Sequence, residues 1–156
     1  MWHFKKGLSL VETILIIAIS LTLLVIVTSG FKSLRNSQIL TSGSEEIVSL
    51  INEARSKTLS SEQASQYGVH FELNRAVLFK GDTFVEPSAD NKELIYSGFI
   101  EMSSISLNGG GSDLVFERLT GETAQNGMVT INLTNDLSKI REITIEPSGT
   151  ISVEIY

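Results

Sequence analysis

Lys5-Lys6-Gly7-Leu8-Ser9-Leu10-Val11-Glu12 opens a run that stays apolar to Val27, broken only by Ser9, Glu12, Thr13, Ser20 and Thr22. Twenty helical residues at about 1.5 Å rise span roughly 30 Å, the thickness of a bilayer core. The run therefore predicts a membrane-length helix. A cleaved secretory signal has a core of only about 7–15 residues before a small-residue cut site. Val27-Thr28-Ser29 mimics such a site, so a secretory signal is the alternative reading of this stretch. A carboxylate at the centre of a membrane segment costs roughly 2.5–3.5 kcal/mol even on insertion scales. Glu12 stands near the start of the apolar run, just after two lysines and a glycine. A charge kept at that cost points to a partner.

The chain has 156 residues, which suits one membrane segment and one further domain. Its formal net charge is −6, or −8 once Lys5 and Lys6 are removed. That balance opposes a general attraction to nucleic acid, and no run of Lys and Arg offsets it. There is no cysteine, which excludes disulfides and thiolate metal sites. Lys5 and Lys6 precede the apolar segment while Lys32 and Arg35 follow it, so counting positive charges does not orient it.

Beyond the membrane-length run, Ile39, Gly43, Ile47, Leu50, Ile51, Ala54 and Thr58 recur at three- and four-residue steps. This predicts one face of an amphipathic helix. Glu53 and Lys57 stand at i,i+4 in the favourable order. Unbroken helix from Leu8 to about Ser60 would be roughly 80 Å long. Ser29-Gly30 and Ser42-Gly43 are weak points, and Ser42 with Glu45 has the spacing of a capping box, so two helices with a short joint are the other reading.

After Ser60-Ser61 the period changes to two. Tyr67, Val69, Phe71 and Leu73 alternate with Gly68, His70 and Glu72, which predicts a strand with one buried and one solvated side. Asn74-Arg75 would turn it into Ala76–Phe79. Leu94–Phe99 and Ser104–Leu107 read as weaker strands, and Asn108-Gly109-Gly110-Gly111-Ser112 as a turn. Val129, Ile131 and Leu133 alternate, as do Ile143 and Ile145, then Ile151, Val153 and Ile155. Pro147-Ser148-Gly149 joins the last two runs as a hairpin. The fold class is α+β: a long N-terminal helix packed on an antiparallel sheet with one buried face, the sheet's apolar side covered by the helix's apolar stripe.

The spacing of basic residues, glycine, apolar run and acid over residues 5–34 resembles the leader of type IV prepilins and pseudopilins. The resemblance implies that a prepilin peptidase cuts between Gly7 and Leu8 and that the new amino terminus is methylated. It also implies that Glu12, fifth in the mature chain, guides assembly by pairing with the amino terminus of Leu8 in a neighbouring subunit. Two departures are Leu8, where the family usually has phenylalanine, and the lack of a proline near Ser29. The head is similar to GspH/FimT-type minor pilins and pseudopilins through Ala54-Arg55, Leu114-Val115-Phe116, Gly121, Met128–Leu133, Ile143-Thr144-Ile145 and Gly149. Some members of the minor pilin branch bind DNA through arginines beside the final glycine; Ser148-Gly149-Thr150-Ile151 has none, and no nucleic-acid partner is expected.

The organisation implied is a leader at 1–7, a transmembrane helix and filament core at 8–29, an amphipathic stem at 30–60 and a β-rich head at 61–156. The expected role is a non-enzymatic structural subunit of a type IV pilus-like filament or a type II secretion pseudopilus. It would be a single-pass membrane protein with its head outside the cytoplasm. Expected partners are the prepilin peptidase, other pilin or pseudopilin subunits and the inner-membrane assembly platform. The competing classes are an adhesive or DNA-receptor tip pilin and a signal-anchored or secreted β domain without filament assembly.

No catalytic residue, cofactor or metal ligand is expected. His70 is the only histidine after Gly7, and it falls on the strand side read as solvated. Asp82, Asp90, Asp113 and Asp136 are scattered in predicted turns without calcium-loop spacing. Gly109-Gly110-Gly111-Ser112 lacks the Gly-Lys-Ser/Thr ending that cradles phosphate. Asn132-Leu133-Thr134 matches a glycosylation sequon by letter alone.

Overall fold

The computed structural model describes residues 9–155, and the side chains of all of these except residues 28, 29, 32 and 33. The chain divides into two compact units, one ending at Ser37 and one beginning at Gln38. Helix α1 covers Leu10–Leu59 and contributes to both; both weak points at Ser29-Gly30 and Ser42-Gly43 are helical. In the first unit, Leu10–Val27 is long and apolar enough to cross a membrane, and none of it is buried.

The second unit combines the later part of α1 with eight strands. These are β1 (Tyr67–Phe71), β2 (Arg75–Lys80), β3 (Lys92–Ile95), β4 (Ile100–Leu107), β5 (Asp113–Val115), β6 (Gly127–Leu133), β7 (Asp136–Ile145) and β8 (Ile151–Ile155). They form two four-stranded antiparallel sheets, ordered β3-β2-β1-β5 and β4-β6-β7-β8, where one sheet was expected. The core lies where the helix stripe meets the inner faces of both sheets. Ile47, Ile51 and Ala54 from the helix, Val69 and Leu114 from the first sheet and Val129, Ile131 and Ile143 from the second are fully buried in one cluster. Each buried Ile or Leu contributes roughly 1.5–3 kcal/mol over leaving it in water.

The stem face matches the period: Gly43, Ile47, Leu50, Ile51, Ala54 and Thr58 are all buried. Gly43 is a packing residue, because a Cβ there would overlap Ile100 Cδ1. Thr58 closes the helix. Its hydroxyl donates to Ala54 O at 2.9 Å and accepts from Tyr67 N at 2.9 Å, which fixes the start of β1 against the helix end. Glu53 and Lys57 pair at 3.7 Å as the spacing implies.

Several local features differ from what the sequence predicts. Leu73 is 62% exposed, because β1 stops at Phe71 and Leu73 sits in the turn closed by Glu72 N donating to Arg75 O. Leu94–Phe99 is not one strand: β3 ends at Ile95, and a turn with Ile100 N donating to Ser97 O starts β4. Asp113 opens β5 and Asp136 opens β7, and neither sits in a turn. The side of β1 read as solvated is covered. Gly68 stands opposite Phe79 and His70 opposite Val77, and both partners are fully or almost fully buried outside the main core cluster. The β2–β3 loop forms this cover, its Phe84 ring stacked on His70 at 4.1 Å and edge-on to Phe79 at 5.7 Å.

Candidate functional site

Glu12 lies in the first turn of α1 and is exposed, within a segment whose apolar side chains also face outward. The helix N-terminus carries a partial positive charge that favours a carboxylate there. That local effect accounts for a glutamate at a helix start. It does not account for one placed on an apolar surface that nothing among the described residues covers, where an approaching cation would gain most from low dielectric. The expected processing residues Gly7 and Leu8 lie outside the described residues.

A second arrangement was not legible in the sequence. The antiparallel register of β1 and β5 sets His70 opposite Asp113, and the imidazole Nδ1 meets Asp113 Oδ1 at 2.5 Å. Its Nε2 faces Glu72 Oε1 at 3.6 Å. A carboxylate–imidazole pair is two thirds of a hydrolytic triad, but the outer nitrogen here meets a carboxylate in place of a hydroxyl or thiol. Arg75 next to it forms bidentate bonds to Glu72 (2.9 and 2.7 Å) and to Glu86 (2.9 and 2.8 Å), and a further bond to Glu93 at 3.0 Å. Among the described residues, no three such side chains are placed to hold a metal ion. The cluster works as a clasp: it ties the β1–β2 turn, the β2–β3 loop and β3 to one guanidinium.

The clasp carries a pH dependence. Hydrogen bonds from Arg75 hold the carboxyls of Glu72 and Glu86 below the ordinary value of 4.5 and raise Arg75 above its own. A carboxylate whose folded value is depressed stabilises the fold above its unfolded value, and that stability is lost as pH falls through the folded value. The head should therefore lose stability below pH 4.5. Arg75→Met should flatten that loss, since Glu72 and Glu86 then lack the guanidinium that depresses them. Melting temperatures from neutral to acidic pH test this, and parallel curves for the two proteins would contradict it.

A third arrangement joins Arg55 to Gly121 and the Ser148-Gly149 turn. Arg55 Nε donates to Gly121 O at 3.0 Å and Arg55 Nη2 donates to Ser148 O at 3.1 Å. Gly149 follows at φ +76°, and a Cβ there would overlap Gly121 O and press on Arg55. Ala54, in the same helical turn, is fully buried. The late helix thus pins two loops that lie far apart in the chain, and the glycines leave room for the guanidinium. Asn132, the sequon asparagine, is buried and donates to Glu101 Oε1 at 3.1 Å.

Comparison with protein-family models, with curated proteins and with solved structures returned no match of any of the three kinds.

Proposed function

We propose that this chain is a structural subunit of a type IV pilus-like filament or a type II secretion pseudopilus, made as a precursor and processed by a prepilin peptidase. One observation carries the reading: a helical segment with every apolar side chain facing outward holds a single carboxylate, in its first turn. Such a surface needs either lipid or the helices of other subunits around it. Lipid alone gives the carboxylate no partner. A neighbouring subunit cut between Gly7 and Leu8 gives it one, the new amino terminus. On this reading the precursor is a single-pass membrane protein with its head outside the cytoplasm. The assembly platform then draws subunits from the membrane into a filament whose core is built from the apolar helices. The compact unit from Gln38 onward, with its own core, forms the filament's surface.

Processing supplies the direct test. Intact-mass measurement of the protein from its native membrane should show loss of residues 1–7 and a methyl group on Leu8. A chain beginning at Gly30 would establish a secretory signal instead. One retaining Met1 would establish a plain anchor.

A further inference from the structure

The two sheets end in four edge strands, β3 and β5 in the first and β4 and β8 in the second. An open edge presents unpaired backbone donors and acceptors, and folded chains blunt such edges with charge, brevity, bulges or a covering segment. Three of these edges are blunted. β3 has four residues and opens with Lys92-Glu93, bound to Glu53 and Arg75 at 2.6 and 3.0 Å. β5 has three residues and is flanked by the 123–125 segment: Thr123 donates its hydroxyl to Val115 O at 2.8 Å, and Val115 N donates to Gln125 Oε1 at 3.3 Å. β4 is interrupted in register between Met102 and Ser104, and Met102 N donates to Leu73 O at 2.9 Å.

β8, at five residues, is longer than β3 and β5, and its pairing is not interrupted by a bulge. It pairs with β7 in unbroken register from Ile145 opposite Ile151 to Arg141 opposite Ile155. It has one charged residue, Glu154, and no proline. Val153 and Ile155 share the face of the buried Ile143, yet are 38% and 70% exposed.

We propose that the outer edge of β8 is a strand-pairing site for β8 of a second copy, antiparallel about Val153. The edge itself calls for an extended backbone, and the sequence of β8 selects its own. Ile151-Ser152-Val153-Glu154-Ile155 has the same apolar–polar pattern in both directions. Antiparallel pairing about Val153 sets Val153 against Val153, Ile151 against Ile155 and Ser152 against Glu154. All apolar side chains then meet on one face and no glutamate directly opposes a glutamate, the arrangement that stabilises cross-strand pairs. A slip by one residue would bring apolar side chains to the opposite face, so this register is specified. A two-fold contact closes on itself. The proposal therefore concerns pairs of chains and does not rest on the filament reading.

The chain has no cysteine, so single cysteines report cleanly in the full-length protein in membranes. Residues directly opposite in an antiparallel pair have Cα atoms about 4.5–5.5 Å apart, within disulfide reach. Diagonal positions, at about 7–8 Å, fall outside it. Mild oxidation should convert Val153→Cys to a covalent dimer. Ser152→Cys and Glu154→Cys should each stay monomeric alone and join when mixed. Ile155→Lys added to Val153→Cys should abolish the dimer band while leaving the melting temperature unchanged, because Ile155 is largely exposed. A monomeric Val153→Cys, equal cross-linking at all three positions, or capture of a different protein would each overturn the proposal.

Discussion

If this chain is a filament subunit as proposed, Glu12→Ala should leave it in the membrane and remove it from filaments. The substitution makes the apolar segment more apolar, so membrane retention should hold or rise. Assembly is different if Glu12 meets the amino terminus of Leu8 in a neighbouring subunit among packed apolar helices. Deleting one member of a buried ion pair costs about 3–5 kcal/mol, because the other charge stays desolvated and unpaired. At about 1.4 kcal/mol per decade, incorporation should fall by roughly a hundredfold or more. Glu12→Gln keeps the shape and loses the charge, and should fail almost as fully. Filament recovery and subunit cross-linking, each normalised to membrane content, measure the effect. Wild-type incorporation of Glu12→Ala would remove the proposed role. Since Glu12 lies outside the compact unit that begins at Gln38, the melting of that unit should not change.

Gly149→Val should destabilise the head more than any surface substitution. Gly149 sits at φ +76°, where a residue with a Cβ is strained by roughly 1–2 kcal/mol before any contact is counted. Its Cβ would then overlap a backbone carbonyl, which cannot swing away as a side chain can. Relief requires the Gly121 and Gly149 loops to move apart and Arg55 to shift, which breaks its bonds to Gly121 and Ser148. The combined loss should reach about 3 kcal/mol or more, at the upper end of single-residue effects. Arg55→Ala removes the two bonds without the clash and should cost about 2 kcal/mol. Arg55→Lys should not restore them, since an ammonium lacks the planar fork that reaches two carbonyls at once. Denaturant unfolding of the full chain in detergent reads these differences. A wild-type midpoint for Gly149→Val would show that the loop at Ser148 does not need Arg55.

The sequence by itself determined what depends on neighbours within a few residues. The membrane-length run and the carboxylate in its first turns needed only composition and spacing. The buried stripe through Ile47, Leu50, Ile51, Ala54 and Thr58 followed from helical period, and β6, β7 and β8 from alternation around the Pro147–Gly149 turn. Local patterns say which face of an element is apolar, but not which element will cover it. That choice belonged to the tertiary structure. Two sheets formed in place of one because β5 joined β1 while β4 joined β6. The polar-looking side of β1 was covered because the β2–β3 loop laid Phe84 over His70. Strand register put Asp113 on His70, and packing put Gly121 and Ser148 on Arg55, across 43, 66 and 93 residues of chain. No period of two or 3.6 residues encodes such pairings, because each arises only when separate elements are already in place.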